Sequence, residues 1–405
     1  MESHGQTADP IEALTTALRA DDVARVAALL ERHPSLRPRL NEPIPGDAFG
    51  TLPLLALARA GRREMIELLL RHGADIDARS QWWAGGFGVL DWCPPGLAPF
   101  LIERGATVTA HAAARLAMLD RLEALVAADP SLVHARGGDG QTPLHVAATV
   151  EVARWLLDHG AEIDTRDVDH ESTPAQYMLG DRRDVARFLV ERGCRTDILM
   201  AAAIGDIDRV RAHLDEDPAS VRTRVSARHF PMRDPRAGGT IYLWTLGPHK
   251  SAHVIARDLG RGDIYALLME RSPDDLRLSE GCRAADDETV RAVLARRPEL
   301  AADLSDDARA ELVAAAQTND TVAVRRLLAA GWPADARGEH GDTALHHAAW
   351  YGNVELVREL LRRGAPPDAV ENRYGGTPID WARHGATQCA TKDAGDHAGV
   401  IAALS

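Results

Sequence analysis

The residues best suited to chemistry form a short acidic run around one histidine. Asp167, Asp169 and Glu171 alternate with Val168 and His170, so three carboxylates and an imidazole lie within five residues. Such oxygen and nitrogen donors could bind a divalent metal ion or act as general acids and bases. Equally, the run suits a solvated turn whose aspartates accept hydrogen bonds from their own backbone. Asp167, Asp169, His170 and Glu171 are therefore candidate catalytic residues.

Three members of this run, Asp169, His170 and Glu171, are also candidate metal ligands. The rest of the sequence shows no second element that offers further ligands to the same ion. We therefore predict that the protein holds no metal and no cofactor.

A second candidate site is the irregular inserted segment, residues 221–250. Five arginines lie within fifteen of its residues, and aromatic residues follow them. The arginines could bind an anionic partner, or a carboxylate or phosphate of a small ligand. They could instead form ion pairs with acids elsewhere on the protein. Arg228, Arg236, Tyr242 and Trp244 are the candidate binding residues of this segment.

A third candidate is the Trp-rich finger, residues 82–88, with the sequence WWAGGFG. Three aromatic residues among four small ones make an adaptable apolar surface, which is typical of recognition sites. Alternatively, the rings cover a gap beside a truncated helix pair, where Trp92 also lies. Trp82, Trp83 and Phe87 are candidate binding residues.

One pair of histidines has the spacing of zinc ligands on a helix. His249 and His253 are four positions apart, but Ser251 is a typical helix cap, which would leave His249 outside the helix. No phosphate-binding loop, zinc-protease motif or nucleophile elbow occurs in a strand-to-helix context. The sequence thus predicts no zinc site at these histidines and no standard catalytic motif.

The elements that position these residues are clearest in residues 140–164, GQTPLHVAATVEVARWLLDHGAEID. Thr142 and Pro143 are typical first residues of a helix, and Gly160 is typical of the end of the next one. Looser copies recur about every 33 residues, most clearly from Thr343 and from Thr377. The TPLH start, the Gly-Ala-Asp exit and this period resemble ankyrin-repeat proteins, in particular the long bacterial multi-ankyrin type.

The resemblance implies an all-α dominated fold, an ankyrin-repeat solenoid of about twelve helix–turn–helix units with β-hairpin fingers. We predict a disordered tail at residues 1–8 and one continuous solenoid over residues 9–405, interrupted by the inserted segment. The resemblance also implies that His145 and His346 hydrogen-bond locally between neighbouring units. Compared with the complete unit from Thr343, the unit from Thr142 lacks three residues, which we assign to its inter-helix turn.

Composition limits the classes of partner. The formal net charge is −13, which disfavours nonspecific binding to nucleic acid or to acidic membranes. The four cysteines lie far apart without a C-x-x-C pair, as expected of a reducing compartment. The sequence shows neither a secretory signal nor an apolar stretch of membrane-spanning length. We predict a cytoplasmic protein that binds neither nucleic acid nor membranes.

Two functions fit these features. The resemblance implies a non-enzymatic scaffold that binds a protein or peptide partner through its fingers and concave groove. The alternative is a small-molecule-binding or catalytic solenoid in which the acidic finger (residues 167–171), the arginine-rich inserted segment and the Trp-rich finger line one pocket for a small anionic ligand. Fingers two units apart are separated by about 20 Å in a straight stack. The alternative therefore requires that the inserted segment fold inward.

Overall fold

The computed structural model describes residues 9–405, and it is built from pairs of short helices. These residues contain no β-strand, only two isolated antiparallel bridges. The α- and 3-10 helices form twelve successive pairs, which confirms the predicted all-α repeat architecture. No helix within residues 9–405 has the length and apolar character needed to cross a bilayer. The predicted tail, residues 1–8, lies outside the described residues.

The chain divides into two compact units. Unit 1 contains the described residues up to Thr196 together with Phe230–Thr245, and unit 2 contains Asp197–His229 and Leu246–Ser405. The inserted segment is thus shared, with its central part in unit 1 and both its ends in unit 2. A single continuous solenoid over residues 9–405 stays a prediction.

The α-helices are short throughout. Unit 1 contains α1 (Pro10–Arg19), α2 (Val23–Arg32), α3 (Pro53–Arg59), α4 (Arg63–Arg71), α5 (Val89–Trp92), α6 (Ala98–Glu103), α7 (Ala110–Arg115), α8 (Leu119–Ala128), α9 (Val150–Asp158), α10 (Pro174–Tyr177) and α11 (Arg183–Glu191). Next come α12 (Ile198–Ile204) and α13 (Ile207–Glu216) of unit 2, and α14 (Tyr242–Thr245) of unit 1. The rest of unit 2 contains α15 (Ala252–Asp258), α16 (Gly262–Arg271), α17 (Asp274–Ala284), α18 (Asp287–Arg296), α19 (Asp306–Gln317), α20 (Thr321–Ala329), α21 (Ala344–Trp350), α22 (Val354–Arg362), α23 (Pro378–Gln388) and α24 (His397–Leu404).

Short 3-10 helices fill several connections, at Pro34–Asn41, Ala48–Gly50, Pro95–Leu97, Pro130–His134, Gly138–Gly140, Pro143–Val146, Pro218–Arg222, Leu300–Asp303 and Lys392–Ala394. The predicted fingers are tight hairpin-like turns closed by single backbone hydrogen bonds rather than by strand ladders. In one, the Gly137 N–H donates to the Gln141 carbonyl over 2.9 Å, and in another the Asp167 N–H donates to the Ser172 carbonyl over 3.1 Å. The backbone hydrogen bonds of each turn therefore fix the positions from which its side chains project.

The TPLH histidines cap helices and link neighbouring helix pairs. His145 Nδ1 accepts a hydrogen bond from the Thr142 N–H at 3.0 Å, and His145 Nε2 lies 3.2 Å from the Ser172 carbonyl oxygen. Because a carbonyl can only accept, Nε2 carries the proton of a neutral ring. Burial lowers the pKa of His145 to about 3. His346 repeats the arrangement with Thr343 and with the carbonyl of Gly376. The predicted local role of both histidines is confirmed.

Other side chains fill the same histidine slot with the same chemistry. At Gln176 the side-chain carbonyl accepts from the Thr173 N–H at 2.8 Å. At Asp380 the carboxylate accepts from the Thr377 N–H at 3.1 Å. Any acceptor three residues into the helix can satisfy the free backbone N–H of the capping residue. At Gln176 and Asp380 the slot thus keeps an acceptor without a histidine, whereas Leu55 at the equivalent position of α3 provides none.

First helices in the middle of unit 1 are reduced to a single turn. The α5 helix, the 3-10 helix Pro143–Val146 and the α10 helix have four residues each, whereas α3 and α21 have seven. Three residues still separate Val146 from α9, as three separate α21 from α22. Our assignment of the missing residues to the inter-helix turn is therefore wrong. The turn must keep its length to reverse the chain, so the first helix is shortened instead.

Candidate functional site

The acidic finger is buried rather than solvated. Asp167, Asp169 and His170 are all buried, Glu171 is half exposed, and Val168 alone in the finger is exposed. Asp167 nevertheless acts on its own turn: its carboxylate accepts hydrogen bonds from the N–H groups of His170 at 2.8 Å and Ser172 at 2.7 Å. It also accepts from the Tyr177 hydroxyl at 2.9 Å. Asp167 therefore shapes the finger and has no oxygen left for a ligand. Burial raises its pKa, against the effect of these hydrogen bonds.

We expect Asp167→Asn to lower the free energy of unfolding by about 1–3 kcal/mol, because one buried backbone N–H would face an NH2 group. Thermal unfolding followed by circular dichroism measures the change. Asp158→Asn is the matched control, since Asp158 forms an exposed ion pair with Arg192 at 3.0 Å. Equal stability of the two variants would show that the Asp167 hydrogen bonds contribute nothing net.

Glu171 connects the acidic finger to the inserted segment. Its Oε1 atom accepts hydrogen bonds from the backbone N–H groups of Arg233 at 2.8 Å and Asp234 at 2.9 Å. Glu171 itself has a φ of 44°, a left-handed conformation that costs about 1 kcal/mol for a non-glycine residue. The carboxylate of Glu171 is thus committed to positioning the backbone of the inserted segment, all within unit 1.

Asp169 and His170 hold the next part of the inserted segment. The Gly238 N–H donates to the Asp169 carbonyl at 2.9 Å and lies 3.2 Å from Asp169 Oδ1. His170 Nδ1 lies 2.8 Å from the Gly239 carbonyl oxygen, and its ring centroid is 4.7 Å from that of Trp244. The central part of the inserted segment therefore folds onto the acidic finger, which is the inward fold that the alternative function requires.

Asp139, which our sequence analysis did not single out, completes this cluster. Its Oδ2 atom lies 3.9 Å from His170 Nε2, and Asp169 Oδ2 lies 3.6 Å from the same nitrogen. The Asp139 carbonyl accepts from the N–H groups of Val168 at 2.8 Å and Asp169 at 3.1 Å, so neighbouring fingers are in register. Burial raises the pKa of Asp139 to about 7, with His170 opposing the rise.

One signal in the sequence could have identified Asp139. Asp139 and Asp169 are separated by nearly one repeat length, so they occupy equivalent positions on adjacent fingers. The ligand atoms of Asp139, Asp169 and His170 all lie within 4.8 Å of one another. Two of the three candidate metal ligands, Asp169 and His170, thus lie together. The third member of the cluster is Asp139 and not Glu171.

The Trp-rich finger packs beside the truncated third helix pair. Phe87 is buried and stacks on Trp92 with ring centroids 3.9 Å apart. The Trp82 ring meets Phe49 edge-on at 4.7 Å. A Cβ atom on Gly138 would lie 2.1 Å from the Phe87 ring, so this finger also contacts the next one along. Phe87 therefore packs into the gap that the short pair leaves, as the alternative interpretation of the Trp-rich finger predicts.

The aromatic residues of the inserted segment differ in exposure. Tyr242 is fully buried and meets Phe230 edge-on at 5.1 Å, so our assignment of Tyr242 to a binding surface is wrong. Trp244 is 62% exposed. Trp83 is half-buried, and the Arg236 guanidinium lies 4.3 Å from the centre of its ring. Trp244 and the Trp83–Arg236 pair remain available at the surface of unit 1.

Four of the five arginines of the inserted segment pair with acids. Arg236 pairs with Asp234 at 2.7 Å in unit 1. In unit 2, Arg228 pairs with Asp307, and further pairs join Arg222 to Asp275 and Arg224 to Glu311. Arg228 and Arg236 belong to different compact units, and each already has a carboxylate partner. The geometry favours the interpretation of internal ion pairs over that of an anion site.

The histidine pair behaves as the sequence predicts. Ser251 caps α15 by accepting a hydrogen bond from the Val254 N–H at 3.3 Å, which leaves His249 outside the helix. His253 is fully buried, with Nε2 2.9 Å from Ser272 Oγ. Burial lowers the pKa of His249 to about 4. The two imidazoles therefore serve separate structural roles.

A cleft of about 470 Å³ opens along the fingers and first helices of unit 1. It follows four successive helix pairs, and the first helices of three of them have only one turn. The residues lining it are Phe87, Asp91, Trp92, Pro95, His111, Arg115, Gly138, Gln141, His145, Val146, Ala148, Tyr177, Asp181 and Arg182. The space that a full first helix would occupy is therefore open.

Half-buried arginines shape the walls of this cleft. The Arg115 guanidinium donates to the carbonyls of Leu90 at 3.1 Å and Cys93 at 2.6 Å, which have no helical partner because α5 is so short. Arg182 donates in the same way to Ala147 at 3.1 Å. The cleft thus combines fixed cationic groups with aromatic side chains, as recognition surfaces commonly do.

Comparison with known proteins agrees with this architecture. Family models described as ankyrin repeats match three parts of the chain: many copies at residues 315–382, three copies at residues 110–218 and a single repeat at residues 49–81. Among curated relatives, the mouse B-cell lymphoma 3 protein homolog is 26% identical over 274 residues, which cover 66% of this chain and 53% of that protein.

Two further relatives match over shorter stretches. The Drosophila melanogaster palmitoyltransferase Hip14 is 32% identical over 97 residues, covering 24% of this chain and 15% of the relative. The rat cyclin-dependent kinase 4 inhibitor B is 47% identical over 53 residues, covering 13% of this chain and 40% of the relative. The chain thus spans about half or less of each of these relatives, all of them animal proteins, and the bacterial type stays an expectation. The matched repeats and the stacked helix pairs show that the chain belongs to the ankyrin-repeat family.

Proposed function

We propose that this protein is a scaffold that holds a protein or peptide partner in the groove of unit 1. The observation that carries the proposal is the cleft left by the three one-turn first helices. It lies on the fingers and first helices, the surface that ankyrin-like stacking presents for binding. An extended peptide is the simplest occupant, since the cleft runs along several helix pairs and combines apolar and charged walls.

Four side chains supply the chemistry of recognition in the cleft. Trp92 and Tyr177 are half-buried aromatic residues that line it, and aromatic residues dominate the energetics of many interfaces. Asp91 and Asp181 add carboxylates to the lining that also contains Arg115 and Arg182. A partner segment with an apolar anchor flanked by charged residues of both signs matches this lining.

The finger side of unit 1 offers a second contact surface. Trp244 is 62% exposed and Val168 is 40% exposed, and large apolar side chains are depleted from surfaces that contact only water. Trp83 and Arg236 add an aromatic ring and a cation, with the guanidinium 4.3 Å from the centre of the ring. A partner that extends from the cleft over the fingers would cover these residues.

The named functions of relatives agree with a protein partner. One relative is named as an inhibitor of a cyclin-dependent kinase, and ankyrin arrays generally act by binding proteins. We extend only this general mode to the present chain, which we place in the cytoplasm and without affinity for nucleic acid.

A second candidate function is a small-molecule-binding or catalytic solenoid. The observation that favours it is the convergence of Asp139, Asp169 and His170 beneath the inserted segment. A different observation weakens this second function. Arg228 and Arg236, which would hold an anionic ligand, each already have a carboxylate partner. Scaffold function therefore ranks first, and the chemistry of the buried cluster is a separate question.

Selection from a random-peptide library displayed on phage tests the scaffold proposal. We expect the purified chain to select related sequences that bind saturably and compete with one another for one site. Unrelated sequences that bind without saturation or competition would contradict the proposal. Because the library samples many sequences, the natural partner is not required for the test.

A further inference from the structure

We propose that Asp139, Asp169 and His170 bind one divalent first-row transition metal ion, with zinc as the ion that the donor set fits best. Two carboxylates and one imidazole are common protein ligands of zinc. The site goes beyond the scaffold function and does not depend on it, because it lies beneath the inserted segment and not in the cleft.

The distances in the cluster fit a shared ion better than a direct contact. His170 Nε2 lies 3.6 Å from Asp169 Oδ2 and 3.9 Å from Asp139 Oδ2, too far apart for hydrogen bonds. Two ligands about 2.1 Å from a tetrahedral zinc ion are themselves about 3.4 Å apart. A small shift of the side chains therefore places all three donors on one ion.

The free nitrogen of His170 is set for metal binding. Because the carbonyl of Gly239 can only accept, the proton of the neutral ring lies on Nδ1, 2.8 Å from that oxygen. The Nε2 lone pair then faces the two carboxylates. A histidine that binds a metal typically donates its other N–H to a carboxylate, a backbone carbonyl or water, which fixes both tautomer and ring orientation.

Asp139 lacks the partners that a buried carboxylate requires, and the Asp169 carboxylate accepts one hydrogen bond, from the Gly238 N–H at 3.2 Å. Asp139 is only 8% exposed, and its Oδ1 atom is buried without a hydrogen bond. Within residues 9–405, neither Asp139 nor Asp169 forms an ion pair with an arginine or a lysine. Burying a charge without a hydrogen bond or counter-charge is unfavourable, and a bound cation would remove that cost.

The protein contains a useful contrast in unit 2. His347 Nε2 lies 2.6 Å from Asp342 Oδ2, a direct hydrogen bond that closes the pair. No third ligand group within the described chain joins it to make a metal-binding set. This closed pair is the natural control for the open cluster around His170.

A bound ion would have a structural consequence. It would join the finger of Asp139 to that of Asp169, and through His170 and Gly239 it would fix the inserted segment onto both. Three protein ligands also leave a coordination position open to water or to a group of the partner.

Zinc titration of the metal-free full-length chain, followed by isothermal titration calorimetry, tests the proposal. We expect near one ion per chain, with affinity at least about tenfold weaker in Asp139→Asn and in Asp169→Asn. His347→Asn should bind zinc like the unaltered chain. The proposal is overturned if the unaltered chain binds no zinc, or if both Asn variants retain its affinity.

Two further measurements test the metal site even if an Asn variant fails to fold. A Cβ atom on Gly238 would lie 3.3 Å from Asp169 Oδ2 and 3.2 Å from His170 Cε1, so Gly238→Ala should weaken zinc binding while helical circular dichroism is unchanged. Unchanged affinity in this variant would place the ion elsewhere. Cobalt(II) bound to the unaltered chain should show visible absorption bands of a low-coordinate nitrogen and oxygen site, and absorption identical to the aqueous ion would overturn the proposal.

Discussion

Replacing Glu311 with glutamine is expected to lower the free energy of unfolding by about 3–5 kcal/mol, the largest stability effect we predict. Glu311 is buried in unit 2, where its carboxylate pairs with Arg224 and, at 3.2 Å, with Arg283. Glutamine keeps the size of the side chain and removes its charge. Two largely buried guanidinium groups would then lack their counter-charge, which is the costly way to break a buried ion pair.

Denaturant unfolding followed by circular dichroism measures this effect. Glu355→Gln is the control, because Glu355 forms an exposed ion pair with Arg325 at 3.4 Å that should contribute less than about 1 kcal/mol. Equal losses in the two variants would contradict the role of Glu311 in the core of unit 2.

The stabilising effect of the Glu311 carboxylate should also appear in the pH dependence of the free energy of unfolding. Burial would raise the pKa of Glu311, but Arg224 and Arg283 outweigh burial and lower it to about 2, from an ordinary value of 4.5. A depressed folded-state pKa gives stability that is present above about pH 4.5 and is lost as the pH falls toward 2. The stability difference between the unaltered chain and Glu311→Gln should therefore shrink over this window. A constant difference would contradict the assignment.

Replacing Ala148 with arginine is expected to weaken peptide binding by about 100-fold or more, equivalent to about 3 kcal/mol. Ala148 lines the cleft of unit 1 just after the shortened first helix that ends at Val146. An arginine side chain there would fill the space that the missing helical turn leaves open. Binding of a peptide from the library selection, measured by fluorescence anisotropy, gives the change in affinity.

The matched control places the same substitution on a second helix. Ala127 is exposed on α8, outside the residues that line the cleft. Ala127→Arg should bind the peptide like the unaltered chain, and both variants should keep their thermal unfolding midpoints. Weakened binding in both variants would indicate a general effect of added charge instead of occlusion of the cleft.

The repeat pattern made the helix pairs predictable. Residues such as Thr142, Pro143 and Gly160 act locally, through capping and left-handed turns, so their meaning does not depend on distant contacts. The local hydrogen bonding of His145 between neighbouring units was implied by the resemblance to ankyrin repeats. The position of the three-residue deletion was mistaken because the sequence does not show that the turn, unlike the helix, must keep its length.

The candidate site was only partly predictable. The acidic finger marked Asp169 and His170, but the inward fold of the inserted segment depends on contacts such as Glu171 to Arg233, made between residues far apart in the chain. Asp139 could have been found by comparing equivalent finger positions one repeat apart. For Phe87 two interpretations stayed open, because sequence alone does not distinguish a ring that fills a gap from a ring that faces a partner.

Hydrogen–deuterium exchange of the chain with and without a selected peptide tests the central claim most directly, because it locates the bound segment without altering a residue. We predict that amide protection increases in α5, in α7, in residues 141–148 and around Tyr177, which together line the cleft of unit 1. Second helices such as α8 and α9 should show no added protection. Protection confined to the second helices, or to unit 2, would contradict the proposal that the partner lies in this groove.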